Sequence, residues 1–212
     1  GDGCMMEGIS SEAFSLAGTL ELSKLIVLYD SNNISIEGST EIAFTENVEK
    51  RFEAYGFQVL VVEDGEDLEA IGRAIEEAKA DKTRPSLITV KTMIGSKCPA
   101  KEGKASAHGE PLGEENVIAL KENIGWPNLE PFYVPEEVYE NYREISKKNA
   151  AVEEKWNALF ADYCEKYPEQ KTIWEKMHNN EIAKELIDSE VFWKFEDKAE
   201  ATRNLSGMII NR

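Results

Sequence analysis

Apolar residues recur at helical spacing from Gly8 to Leu22, at Ile9, Ala13, Leu16, Ala17 and Leu20, which predicts a helix. A short aliphatic run follows, Leu25–Tyr29, bounded by turn formers. Its length and branched side chains predict a buried parallel strand. Residues 34–44 read as a loop. Thr45-Glu46-Asn47-Val48 opens a helix reaching Tyr55, with Gly56 just past its end, where glycine commonly stops a helix. Gln58–Val62 is the next strand, and Asp64-Gly65 a turn. From Asp67 to Ala80 the pattern is amphipathic, with Leu68, Ile71, Ile75 and Ala78 on one face. Pro85 breaks the chain, and Ser86–Lys91 reads as a third strand. Strand, helix and strand at these lengths predict right-handed parallel crossovers.

Beyond Lys91 the pattern changes. Met93–Leu112 is a loop rich in Gly, Pro, Ser and Lys, and Gly113–Asn123 a short helix. Pro127, Pro131 and Pro135 punctuate an extended segment through Trp126, Phe132 and Tyr133. From Glu136 to about Glu190 the pattern is helical and heavily charged, anchored by Tyr139, Trp156, Leu159, Phe160, Tyr163 and Trp174. Pro168 splits this region into two helices. The expected fold class is α/β: a three-layer parallel sheet flanked by helices, followed by a helical connector. The expected domains are an α/β domain over 1–125, an extended and helical connector over 126–194, and the start of a second domain over 195–212.

The chemistry gathers in the first third. The chain opens on Gly1-Asp2-Gly3 and, after the helix and the strand, reaches Asn32-Asn33. In a parallel α/β sheet both loops lie at the carboxyl ends of strands, where such sheets bind ligands. Asp2 and Asn32 are therefore expected side by side. A carboxylate and an amide oxygen are hard ligands, suited to Mg²⁺ or Ca²⁺. Gly1 and Gly3 permit close backbone approach, and the helix that follows offers its N-terminus to an anion. Cation, helix end and glycines together predict a bound diphosphate. An aspartate bound for such a site should follow a strand, yet only Gly1 precedes it, so the chain is expected to be an internal piece of a longer protein.

Composition narrows the classes. With 212 residues, 42% hydrophobic and 31% charged, the chain has room for a core. No apolar run approaches a membrane span, and no leader pattern stands at the start. A net charge of -17 opposes nucleic-acid binding, which needs a basic face. It suits the solvated surface of a cytoplasmic enzyme. Three cysteines without CxxC or Cys/His pairing predict a reducing compartment, with neither a disulfide framework nor a cysteine metal site.

Gly1-Asp2-Gly3, a small-residue helix, LIVLYD and Asn32-Asn33 after 28 intervening residues together resemble the diphosphate-binding motif of thiamine-diphosphate enzymes. The longer text from GDGCMMEGISSEAFSLAG to RFEAYGFQV, with TMIGSKCPAKEGKASAHGEPLG and FEDKAEATRNLSGMIIN, resembles transketolase. The resemblance is strong to about Leu112 and weak from about Glu136 to Val191. It implies transfer of a two-carbon ketol unit from a ketose phosphate to an aldose phosphate, with thiamine diphosphate and Mg²⁺ (or Ca²⁺), in a homodimer. It further implies that Asp2, Asn32 and the carbonyl of Ile34 ligate the metal and that Gly3 offers its N–H to the diphosphate. Glu7 would link the two cofactor sites across the dimer. Ile94 would pack on the cofactor, and His108 would assist proton transfer near the diphosphate and the donor ketose, a role suited to imidazole.

Each residue also has a plainer reading. Asp2 alone would be a turn residue or helix cap, Asn32 a turn residue, Glu7 a first-turn glutamate favoured by the helix dipole. Ile94 would pack the loop, His178 lies on the surface, and Tyr29, Phe44, Phe52, Tyr55 and Phe57 pack a core. Many relatives carry another histidine three residues before His108, where this chain has Ala105. The glutamate that activates the aminopyrimidine, and the family's early histidines, fall outside these residues, so the segment alone is expected to be inactive. Two other readings stand beside this one: another thiamine-diphosphate enzyme such as deoxyxylulose phosphate synthase, and a non-catalytic docking module or split subunit. GEPLG after His108 and ATRNLSG favour transketolase over the former, and intact Asp2 and Asn32 oppose the latter.

Overall fold

In the computed structural model, which describes residues 1–181 and 184–212, the chain opens not on a loop but on a short helix, α1 (Asp2–Met6). Cys4 N and Met5 N both donate to the Gly1 carbonyl, at 3.1 and 3.3 Å, so the glycine ahead of Asp2 starts the first turn. Glu7 separates α1 from α2 (Gly8–Thr19). Then come β1 (Ile26–Ser31), a small antiparallel hairpin of β2 (Ile34–Ser35) and β3 (Gly38–Ser39), and a 3₁₀ turn over Thr40–Ile42. α3 (Val48–Ala54) is capped by Asn47, whose side chain accepts from Lys50 N at 2.8 Å. β4 (Gln58–Val62), α4 (Leu68–Ala80, capped by Asp67) and β5 (Ser86–Lys91) follow, and α5 (Glu114–Asn123) comes after the long loop.

The sheet order is β1-β5-β4, all parallel, with Ile26 and Gln58 both opposite Ser86. β5 is the central strand, and Leu87, Ile88 and Thr89 are completely buried. Alternation along it builds two layers of core. On one face Leu87 packs with Tyr29, Val48, Phe52, Phe57, Met5 and Ala17. On the other, Ile88 and Val90 pack with Val62, Ala74 and Ala78 of α4. This is the three-layer α/β arrangement expected, and Tyr29, Phe44, Phe52, Tyr55 and Phe57 all belong to the first core.

Two expectations fail. β1 is not fully buried: Leu28 is 51% exposed, because β1 is an edge strand with β5 on one side only. The anticipated face of α2 is also exposed, at Ile9, Leu16 and Leu20. The face that packs holds Ala17, Phe14 and Gly18. Gly18 runs against the backbone of Tyr55, and Phe14 lies 4.8 Å from the Phe52 ring. That close approach, invisible to hydrophobic spacing, sets the rotation of the helix.

The chain divides into two compact units, Gly1–Tyr133 and Val134–Arg212. The second holds α6 (Glu136–Lys166), α7 (Pro168–His178), α8 (Lys184–Ile187) and α9 (Thr202–Ile210). Pro168 starts α7 after Tyr167, as expected of a proline between helices. His178 is exposed and stacks on Trp174 at 4.3 Å. Arg212 donates to the Lys194 carbonyl at 3.0 Å and sits 4.7 Å over the Phe195 ring, within the second unit, which holds both sides of the expected 194/195 boundary. Residues 182 and 183 of the expected connector lie outside the described residues.

Candidate functional site

The site forms where β1 and β5 end. The register pairs Ser31 with Lys91, and Thr92 N donates to the Ser31 carbonyl at 3.2 Å, so the segments leaving both strands emerge together. α1 brings Asp2 to this edge. Asp2 is 3% exposed as a residue, and its carboxylate accepts three hydrogen bonds: Tyr29 OH donates to Oδ1 at 2.5 Å, and Asn32 N and Asn33 N donate to Oδ2 at 3.3 and 3.1 Å. The turn after β1 is thus wound around the Asp2 carboxylate. Asn33 takes φ +60° there, a conformation asparagine tolerates better than most residues.

The Asn32 amide has a defined orientation. Nδ2 donates to Asp30 Oδ1 at 3.3 Å, and Oδ1 accepts from Ile34 N at 3.0 Å. The opposite orientation would face oxygen to carboxylate and N–H to N–H, so the chemistry of both partners selects this one. Thr92 Oγ1 also donates to Asp30, which joins the end of β5 to the same network.

Tyr29 is 3% exposed. Burial pushes its hydroxyl above the ordinary tyrosine value, and the hydrogen bond to Asp2 adds to the effect, so it remains a protonated donor. Arg51 braces the other side of α1. It donates from Nη2 to the Met5 carbonyl at 3.0 Å and from Nη1 to Ser11 Oγ at 2.8 Å. Its Nε lies 2.7 Å from Glu46 Oε1 without hydrogen-bond geometry, so that contact is an ion pair only.

Asp2, Gly3, Glu7, Asn32, Ile34 and His108 line one cleft of about 580 Å³. Asp2 and Asn32 therefore lie side by side, as the sequence led one to expect. His108 arrives from the long loop, just after the 3₁₀ turn Ala105–Ala107. That loop is internally bonded: Gly103 N donates to the Ile94 carbonyl at 2.8 Å, and Lys101 Nζ to the Ser106 carbonyl at 3.1 Å. Gly95 takes φ +63°, where a Cβ would press on Lys101 O and Ala107 Cβ at 3.0 and 3.1 Å. Ile94 is half-buried at the base of this loop and is not among the residues lining the cleft.

The donors fit a hard cation and a diphosphate. Carboxylate, amide and carbonyl oxygens are the ligand types Mg²⁺ and Ca²⁺ take. A Cβ on Gly3 would meet nothing within 4 Å, so its bare backbone faces open space. Among the described residues no three His, Cys, Asp or Glu side chains gather as a metal cluster. A cation here would rest on Asn32 and a carbonyl besides Asp2.

Tyr29, Asp30 and Arg51 were not singled out by sequence as parts of the site. Tyr29 carried a signal: a hydroxyl-bearing ring directly after the aliphatic run Leu25–Leu28. Arg51 gave none beyond lying in a helix.

Fold and cleft together define a thiamine diphosphate-binding domain, and residues 1–183 match the family described as "Transketolase, thiamine diphosphate binding domain". The chain belongs to the transketolase family. It is 46% identical to a transketolase of Nostoc sp. over its whole length, covering 32% of that protein. It is 45% identical to a chloroplastic transketolase of Spinacia oleracea, covering 28% of it. Among solved structures, the transketolase of Pichia stipitis in complex with sedoheptulose 7-phosphate superposes with a TM-score of 0.79 at 39% identity, over 99% of this chain and 31% of that one. The chain thus spans about a third of the length of these relatives.

Proposed function

We propose that this chain supplies the diphosphate and metal half of a transketolase active site. The protein in which it works transfers a two-carbon ketol unit from a ketose phosphate to an aldose phosphate. When bound, thiamine diphosphate supplies the electron sink for breaking and remaking a carbon–carbon bond beside a carbonyl. The chain's own residues bind and orient. Asp2, Asn32 Oδ1 and the Ile34 carbonyl hold Mg²⁺ or Ca²⁺, and Gly3 N–H meets the diphosphate. His108 holds or moves a proton at Nδ1 or Nε2 beside the donor ketose. Ile94, at the root of the loop that carries His108, packs toward the cofactor, and Glu7 reaches toward a second copy of the chain in a homodimer. The acidic composition supports a cytoplasmic setting. The described helices include none long and apolar enough to cross a membrane.

The observation that carries this reading is the Asp2–Asn32 junction, with Asp2 Oδ2 3.3 Å from Asn32 N, in the cleft that also admits His108. Thiamine diphosphate titrated into the full-length gene product with Mg²⁺ is expected to bind, and Asp2→Ala to weaken that binding at least tenfold. Equal binding by wild type and Asp2→Ala would overturn the site. Binding without ketol transfer in the full-length product would favour the docking-module reading.

A further inference from the structure

A chain of contacts runs from the turn after β4, through the end of β5, to the Asn32 amide. Gly65 N donates to the Lys91 carbonyl at 2.8 Å. The Thr92 methyl lies against this glycine, where an added Cβ would stand 2.7 Å from Cγ2. Thr92 Oγ1, seated in this way, donates to Asp30 Oδ1 in β1. The same Asp30 oxygen accepts from Asn32 Nδ2 at 3.3 Å. An amide oxygen has two lone pairs. On Asn32 Oδ1 one is taken by Ile34 N at 3.0 Å, which leaves one for a cation.

We propose that Asp30, held by Thr92, is a positioning residue that fixes the plane of the Asn32 amide and so raises the affinity of the site for its cation. This rests on the function proposed above. The terminal torsion of an asparagine is broad. Ile34 N–H holds the amide at its oxygen only and leaves its plane free to rock. Asp30 holds it at its nitrogen as well, so the remaining lone pair keeps one direction before the cation arrives. Partners of this kind, one step out from a metal ligand, are worth roughly 10- to 100-fold in affinity. Asp30 also carries charge, which attracts a nearby cation whether or not it touches Asn32. Acceptor and charge are separable because both hydrogen bonds end on one oxygen, Oδ1. Asp30→Asn keeps an oxygen for both and loses the charge. Asp30→Ala loses charge and acceptor together.

The test is calorimetric titration of MgCl₂ into the full-length gene product held at saturating thiamine diphosphate. Asp30→Ala is expected to bind Mg²⁺ about tenfold more weakly than Asp30→Asn. Thr92→Val keeps a methyl against Gly65 and removes the hydroxyl. It is expected to weaken Mg²⁺ in the wild-type chain and to change nothing when added to Asp30→Ala, as residues acting through one contact do. Asp30 is exposed and Thr92 half-buried, so none of these variants removes a core side chain. Equal affinities of Asp30→Ala and Asp30→Asn, or the same Thr92→Val loss with and without Asp30, overturn the proposal. Mg²⁺ affinity unchanged by Asp2→Ala would instead overturn the metal site on which it rests.

Discussion

Gly18 and Tyr55 meet backbone to backbone: a Cβ built on Gly18 would stand 1.8 Å from the Tyr55 carbonyl oxygen and 2.9 Å from its carbon. No rotamer change relieves a clash with main-chain atoms. α2 and the end of α3 approach this closely only because residue 18 lacks a side chain. Gly18→Ala is expected to destabilise the first unit by about 1–3 kcal/mol or more, the range for overpacking a filled site. Urea denaturation measures it, and a variant with an unchanged midpoint would show that the helices separate at little cost.

Thr89 predicts the opposite sign. It is completely buried in the central strand, and its Oγ1 has no hydrogen-bond partner among the described residues. A buried hydroxyl left unpaired costs about 1–3 kcal/mol. Valine keeps the shape and removes the polar atom, so Thr89→Val is expected to raise stability by about 1 kcal/mol. The same urea midpoint reads this, and a loss of stability would mean the hydroxyl is hydrogen-bonded in solution.

Asp81, at the surface after α4, carries a pH signature. Arg84 Nε donates to it at 2.9 Å, and Thr83 donates through N at 2.8 Å and through Oγ1 at 2.7 Å. The Arg84 hydrogen bond first, then those from Thr83, hold its carboxyl well below the ordinary value of 3.8. The folded value is depressed, so the stabilisation is fully present above the ordinary value. It is lost as pH falls through that value toward the folded one. Asp81→Asn is expected to be slightly less stable than wild type near neutral pH, less so in high salt. The two stability curves should converge in acid. A gap of constant size down to about pH 2 would contradict the assignment.

His108 lines the same cleft as Asp2 but makes no contact with it among the hydrogen bonds described. In the full-length gene product, His108→Ala is therefore expected to leave Mg²⁺ affinity unchanged. Turnover should fall by roughly 10²–10⁴-fold, the range for losing a general acid or base. Parallel loss of metal affinity and turnover would place His108 in the cation site instead.

These residues also show what a linear reading can and cannot reach. β4, α4 and β5 were legible because each has its own composition, periodicity or breaker: the aliphatic run Val59–Val62 soon after Gly56, the stripe of Ile71, Ile75 and Ala78, and Pro85 ahead of a short segment rich in Leu, Ile and Val. The nearness of Asp2 and Asn32 was legible because parallel strands bring their carboxyl ends to one edge. The exposure of Leu28 was not, since edge or centre depends on which strand pairs with which. Nor was the rotation of α2, decided by an absent side chain at Gly18. The Tyr29 ring reads as core from its neighbours, and only its hydroxyl, aimed out of that core at Asp2, gives it a second purpose.

The Asn32-Asn33 turn is closed by the same carboxylate that is offered to the proposed cation. Turn order and ion affinity then draw on a single coupling free energy, and coupling is reciprocal. Deuterium uptake at the amide hydrogens of Asn32 and Asn33 should slow when the ion is added. A strain that loosens the turn from outside, at Thr40 or in the β2–β3 hairpin, should weaken the ion without touching any atom near it.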